Sequence, residues 1–143
     1  MQPTARFVTA IQILALLAQS RTLKTSEQLG DEVGGHPVAI RRLVRTLRQA
    51  GLITAQKGPG GGAKIARPAA SITLRDVYRA LEEQDRPLKL SVSAGFQAKQ
   101  INRALLAVHE RSRRSFEEAL GQVTLAYVLR RTGFRLTLAG KSR

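Results

Sequence analysis

Cysteine is absent from this 143-residue chain, and aromatic residues make up only 4% of it. The lack of cysteine excludes disulfides, thiolate-held zinc, cysteine-ligated iron–sulfur clusters and thiol catalysis. The shortage of aromatic side chains argues against a stacking platform for RNA or single-stranded DNA. The two histidines, His36 and His109, stand far apart and do not have the spacing of a metal site. We therefore predict no metal site and no cofactor.

Acidic residues are also scarce, since 10 Asp and Glu stand against 24 Lys and Arg and leave a net charge of +14 at pH 7. The acids fall on predicted helix surfaces or helix starts, where solvated charges are expected. The chain has no G-x-S-x-G motif and no serine, histidine and acid in a catalytic pattern. The sequence therefore predicts a protein that is not an enzyme. Its strong positive charge implies an anionic partner.

Long hydrophobic runs are missing as well. A mostly apolar stretch at residues 7–18 is too short to span a bilayer and is not followed by a signal-peptide cleavage site. Hydrophobic residues still make up 43% of the chain, as in globular proteins. We expect a cytoplasmic protein of one domain with an appendage and no membrane partner.

The first third of the sequence predicts three helices. Apolar residues at steps of three and four indicate a helix between Thr4 and Gln19. A short second helix follows within residues 25–35, capped at its start by Thr25 or Ser26 and ended by a Gly-Gly pair. The third helix, residues 36–50, has a proline in its first turn and stops at a glycine.

A hairpin and a fourth helix complete this unit. Two β-favouring runs, residues 52–56 and 63–66, surround a glycine-rich turn and predict a hairpin with a basic tip. A helix capped by Thr73 follows, with Val77 and Leu81 on its inner face. The pattern predicts a mainly α-helical fold with a small β-hairpin wing, in which residues 1–83 form a winged helix-turn-helix DNA-binding domain.

The second half of the chain predicts a loop and a long helix. Residues 84–96 have no helical period and are interpreted as a flexible loop or linker. Within residues 97–131, an apolar stripe resembling a heptad seam predicts a dimerisation helix at 97–122, followed by a short terminal helix capped by Thr124. The alternative is that the long helix folds back on its own chain, but the seam favours a second copy. Residues 132–143 form a basic tail.

Basic residues concentrate around the third helix. Its apolar side chains share one stripe, whereas Arg41, Arg42, Arg45 and Arg48 spread over the opposite side. Residues 36–67 carry seven Lys and Arg and no acid. This pattern predicts a recognition helix for the major groove of double-stranded DNA, and a wing whose Lys57 enters a minor groove. The candidate DNA-contacting residues are His36, Val38, Arg41, Arg42, Arg45, Arg48, Lys57, Gly61 and Lys64.

Several motifs carry a family resemblance. The chain has Ala-Gly-Leu-Ile at residues 50–53, Lys-Gly-Pro-Gly-Gly-Gly at 57–62, Ile-Ala-Arg-Pro at 65–68 and Ile-Thr-Leu at 72–74. Together with the long helix, they resemble the Rrf2 family of bacterial winged helix-turn-helix transcriptional regulators over nearly the whole chain. The glycine-rich wing followed by Ala-Arg-Pro and Ile-Thr-Leu is the most specific part of this signal.

The resemblance implies roles for individual residues and an assembly. It places His36, Val38 and Arg41 at base-facing positions and Lys57 in the minor groove. It also implies a homodimer whose half-sites lie about one helical turn, ~34 Å, apart. Many members hold an iron–sulfur cluster through three cysteines in the loop that corresponds to residues 84–96. Because this chain has no cysteine, it resembles a cluster-free branch.

Two other functions remain open from the residues alone. The long helix suits an adaptor that binds an acidic protein, with DNA binding secondary. A small-molecule-sensing dimer is the other alternative, although no polar cluster marks a pocket and the effector is unknown. Of these hypotheses, a DNA-binding repressor explains the charge pattern best. The operator sequence does not follow from the resemblance, because residues 36–42 depart from the family's usual pattern.

Overall fold

A computed structural model of the protein describes residues 4–82 and 95–133. These residues form six helices, a short 3₁₀ turn at Ala69–Ser71 and one two-stranded sheet. The elements are α1 (Ala5–Gln19), α2 (Ser26–Val33), α3 (Pro37–Gln49), β1 (Ile53–Gln56), β2 (Gly62–Ile65), α4 (Leu74–Glu82), α5 (Phe96–Gly121) and α6 (Leu125–Arg131). The predicted loop and the predicted basic tail lie mostly outside the described residues. Helix α5 begins at Phe96, the last residue assigned to that loop.

Side-chain caps define the helix starts. Thr4 caps α1, and Thr25 forms a capping box with Gln28 at the start of α2. Helix α2 ends at Gly34, whose φ of 72° lies in the left-handed region that favours glycine. Nδ1 of His36 accepts the Val38 backbone N–H at 3.3 Å, so this imidazole caps α3. Local sequence therefore sets both ends of the turn that leads into α3.

The two strands form an antiparallel hairpin whose register runs from Ile53 opposite Ile65 to Gln56 opposite Gly62. Lys24, in the connection before α2, adds a single bridge to this hairpin. Its backbone N–H donates to the Ala63 carbonyl at 3.0 Å, and the Ala63 N–H donates back at 2.8 Å. The hairpin is thereby joined to the helical part of the domain.

Helix α1 lies at the centre of the core. Its buried side chains include Ile13, Leu14 and Leu17, and the core cluster also contains residues from α2, α3, α4 and the hairpin. Helix α6 joins the same cluster through Leu125 and Leu129, both almost fully buried. The sequence grouped α6 with the dimerisation helix, whereas the structure packs it into the core of the N-terminal unit.

Helix α5 divides into two parts. Towards its C-terminal end it packs on α4, where Phe116 meets Tyr78 edge to face with ring centroids 5.2 Å apart. Nearer its start the apolar residues Ile101, Leu105 and Val108 are 60%, 53% and 63% exposed. The predicted seam is therefore partly used within the chain, at Phe116, and is open to solvent over the first half of the helix.

A charged cluster holds α5 against α4. Oε2 of Glu117 accepts from Nε and Nη2 of Arg79, both at 2.8 Å, and Oε1 accepts from Arg113. Arg113 also donates hydrogen bonds to both carboxylate oxygens of Glu110, at 3.1 and 2.8 Å. The prediction that the acids are solvated is wrong for Glu117, which is only 5% exposed. Burial between α4 and α5 is possible because two guanidinium groups compensate its charge.

The same cluster shifts the pKa values of Glu110 and Tyr78. The hydrogen bonds from Arg113, followed by those from Arg114, lower the pKa of Glu110 below its ordinary value. Burial, reinforced by the charge of Glu82, raises the pKa of Tyr78. Both shifts favour the charge states that the cluster needs at neutral pH, with a carboxylate at Glu110 and a neutral phenol at Tyr78.

Candidate nucleic-acid interface

The outer face of α3 carries all of its predicted contact residues. The side chains of Ile40, Leu43 and Leu47 are buried in the core, which fixes the orientation of the helix. Because successive residues of an α-helix are rotated by about 100°, the opposite side faces solvent. The residues exposed there are Val38, Arg41, Arg42, Arg45 and Arg48, and His36 is exposed at the N-cap of the helix. Val38 is 47% exposed, an apolar side chain in a basic surface.

The positive charge of this face is not neutralised within the described residues. None of Arg41, Arg42, Arg45 and Arg48 makes an ion pair there, and neither do Lys57 and Lys64 of the hairpin. Arg67 differs, because its Nη2 lies 3.7 Å from Oδ2 of Asp76. The surface made by α3 and the wing is therefore suited to a polyanion, and its guanidinium groups suit phosphates and guanine edges.

Gly35, in the turn between α2 and α3, lies close to both helices. The backbone N–H of Gly35 donates to the Gly30 carbonyl at 3.0 Å. A Cβ added at Gly35 would lie 2.7 Å from Cδ1 of Ile40, so a larger residue would require the buried side chain of Ile40 to move. This contact positions the first turn of α3, where His36 and Val38 project.

The wing tip, residues 57–61, depends on glycine for two reasons, backbone conformation and space. Gly58 and Gly60 have φ angles of 91° and 71°, in the left-handed region. At Gly61 the constraint is space, because a Cβ there would lie 2.2 Å from the Gln56 carbonyl oxygen. The structure thus gives Gly61 a steric role in closing the turn that presents Lys57, and a DNA contact by Gly61 itself stays a prediction.

Replacing Gly61 with alanine is expected to open the wing tip and weaken DNA binding. The added methyl group must displace backbone, which costs about 1–3 kcal/mol. Fluorescence anisotropy with duplex DNA and thermal melting would measure both effects. Gly95→Ala is the matched control, since a Cβ at Gly95 has no atom within 4 Å. Equal DNA affinity in the two variants would show that the tip geometry does not matter for binding.

Residues of α1 also border the α3 face, and the sequence did not predict them as part of the interface. An open groove of about 920 Å³ is lined by Arg6 and Thr9 of α1 and by Arg42 and Arg45 of α3. The available signal was a single arginine in the first turn of an otherwise apolar helix with no acid nearby. That signal is weak, because a lone charge near a helix end is usually a solvated one.

A helix-turn-helix with an unneutralised arginine face and a basic wing defines a DNA-binding transcriptional regulator. Among known proteins, the chain is 30% identical over 128 residues to YwnA of Bacillus subtilis (strain 168), which is named as a helix-turn-helix-type transcriptional regulator. The aligned residues cover 87% of this chain and 95% of YwnA. The structure of T. potens IscR matches with a TM-score of 0.68 and 25% identity, covering 92% of this chain and 88% of that one. The global cysteine regulator CymR of B. subtilis shares the fold, with a TM-score of 0.64 and 21% identity over 90% of this chain and 95% of CymR.

The sequence profile of the Rrf2 family, described as iron-dependent transcriptional regulators, matches residues 4–131. The chain belongs to the Rrf2 family. The predicted winged helix-turn-helix fold with a long C-terminal helix, the class of regulator and the assignment as a non-enzyme are confirmed. Among the described residues, no helix has both the length and the apolar character to cross a membrane.

The residues of this chain do not fit a thiolate-held iron site. The sequence offers no cysteine to ligate iron. Within residues 4–82 and 95–133, no three His, Asp or Glu side chains come together in a way that could hold a metal ion. Glu110 and Glu117, which both contact Arg113, are engaged by arginines instead. The iron dependence in the family description therefore does not carry over to these residues.

Proposed function

We propose that the protein is a homodimeric repressor that reads a two-fold symmetric operator with α3 and the wing. The observation that carries this proposal is the row of four exposed arginines on α3, which make no ion pair with an acid within residues 4–82 and 95–133. In this mechanism the protein acts in the cytoplasm, where it occupies promoter DNA and competes with RNA polymerase. No effector is needed for the competition itself.

The open half of α5 supports the dimer. Ile101, Leu105 and Val108 lie at steps of four and three on one side of the helix and are each more than half exposed. Isolated apolar stripes of this kind are stabilised by packing against another helix. A second copy of α5 supplies an identical stripe, and a two-fold axis through it would present two α3 helices to successive turns of the major groove.

Different residues of α3 serve different parts of recognition in this proposal. Arg41, in the second turn, is placed to donate two hydrogen bonds to O6 and N7 of guanine. Val38 offers methyl groups to the C5-methyl of thymine. Arg45 and Arg48, further along the helix, contact phosphates, and Lys57 inserts from the wing into a minor groove.

Replacing Arg41 and Arg45 separately with alanine tests this division. We expect Arg41→Ala to cost about 1–3 kcal/mol on a selected operator and little on random DNA, which lowers discrimination. Arg45→Ala should weaken both DNAs about equally and reduce the salt slope by about one. Anisotropy titrations with an operator selected in vitro from random duplexes would measure these constants. Arg103→Ala, an exposed arginine on α5, is the control.

Two results would contradict the proposal. Equal losses on operator and random DNA for Arg41→Ala would remove Arg41 from base reading. Wild-type affinity for duplex DNA that does not fall steeply between about 50 and 200 mM salt would favour the adaptor, because six or more phosphate contacts imply roughly a thousandfold loss.

A further inference from the structure

Among the described residues, the lining of the groove between α1 and α3 is basic. Arg6 and Thr9 stand on the α1 side, and Arg42 and Arg45 stand on the α3 side. Of the residues within 4–82 and 95–133 that line the groove, none is acidic. Its floor is apolar apart from Thr46, whose hydroxyl donates to the Arg42 carbonyl at 3.0 Å. An anion entering the groove would therefore meet the guanidinium groups of Arg6, Arg42 and Arg45, and no carboxylate among the described lining residues.

Both helices that form the groove begin beside it. The first turns of α1 and α3 contain no acidic residue. Helix N-termini carry a partial positive charge, which adds to the field of the three arginines within about one turn. Gly35, between α2 and α3, also lines the groove.

The size of the major groove decides which part of DNA the α1–α3 groove meets. An α-helix with its side chains is about 10–12 Å across, and the major groove is about 12 Å wide. A helix seated there fills the space between the two strands. An element that flanks α3 by one helix width therefore lies against a sugar-phosphate strand rather than a base edge.

We infer that the α1–α3 groove holds the sugar-phosphate backbone of duplex DNA, with Arg6 of α1 contacting a phosphate. This inference rests on the proposed function and extends the interface from α3 and the wing to a third element. Arg42 and Arg45 line the other side of the same groove, so residues of both helices contact the same DNA strand. The contact is independent of base sequence, because the phosphate backbone is the same at every step.

Replacing Arg6 with alanine tests the contact on a random duplex of about 30 base pairs, with affinity measured between about 50 and 200 mM salt. The expected result is a several-fold loss at low salt and a salt slope smaller by about one per bound protomer. Arg103→Ala controls for the loss of one positive charge. Because Arg6 also makes an intrachain contact, Thr9→Glu serves as a second variant that leaves Arg6 intact and puts a negative charge in the groove. It should weaken binding more than Arg6→Ala does.

The outcomes separate this inference from the function on which it rests. If Arg45→Ala weakens binding while Arg6→Ala and Thr9→Glu match the Arg103→Ala control, the groove contact is wrong and the regulator still binds through α3. If the wild-type protein shows no salt-dependent binding, the proposed function fails first. Inorganic phosphate that binds the wild-type protein but not the Arg6→Ala variant, and does so without displacing DNA at constant ionic strength, would make the groove a small-anion site and overturn the assignment to DNA.

Discussion

Replacing Leu105 with aspartate is expected to convert the protein to a monomer and to lower its affinity for a two-half-site operator by about a hundredfold or more. Leu105 is 53% exposed in the middle of the open stripe of α5. In a symmetric pair of helices, the substitution would bring two aspartates into an apolar contact without a compensating charge. Loss of the second subunit removes the gain that comes from linking two half-site contacts. Light scattering and anisotropy would measure the mass and the affinity.

Leu106→Asp is the matched control for this change. Leu106 is 45% exposed and neighbours Leu105, but the helical rotation points it away from the stripe. We expect this variant to stay dimeric, and we expect both variants to bind a single half-site as the wild type does. A Leu105→Asp protein that remains a dimer would mean that α5 does not form the subunit contact.

Removing both arginines that engage Glu117 is expected to destabilise the fold by about 3 kcal/mol or more, because it leaves a buried charge without compensation. Glu117 is 5% exposed and lies between Arg79 and Arg113. The double variant Arg79→Ala/Arg113→Ala keeps the carboxylate and loses both donors. Urea unfolding at a fixed protein concentration would measure the change in the free energy of unfolding.

A third substitution distinguishes this cause from a general loss of packing. Adding Glu117→Met to the double variant removes the charge and should restore most of the lost stability. The control pair Arg103→Ala/Arg111→Ala removes two exposed arginines of α5 and should change the free energy of unfolding by less than about 1 kcal/mol. If the Met-containing triple variant is no more stable than the double variant, the compensation argument is wrong.

Much of the fold follows from short-range signals. Thr25 and Gln28 make a capping box, Pro37 sits in the first turn of α3, and Gly34 ends α2, so the turn into α3 can be located from neighbouring residues. The arginine face of α3 could be predicted because burial of one stripe leaves the opposite side in solvent. Assigning particular contacts to bases or phosphates stays a prediction.

The missed features depend on residues that are distant in sequence. Glu117 looks like a surface acid in its own helix, and only the approach of α4 brings Arg79 to it. Arg6 reaches the α3 face because α1 and α3 pack together, which no local pattern encodes. The terminal helix α6 follows α5 in the sequence, but it is tied to the N-terminal unit, where the backbone N–H of Leu125 donates to the Ile72 carbonyl at 2.8 Å.

The placement of α6 has a consequence for synthesis of the protein. Because Leu125 and Leu129 complete the core around α1, the N-terminal helices cannot finish packing until α6 has left the ribosome. Contacts between residues so far apart close late, since the loop between them must first be ordered. The N-terminal DNA-binding unit therefore completes its core only after α5 has been made, and a translation product that ended before α6 would lack a finished core.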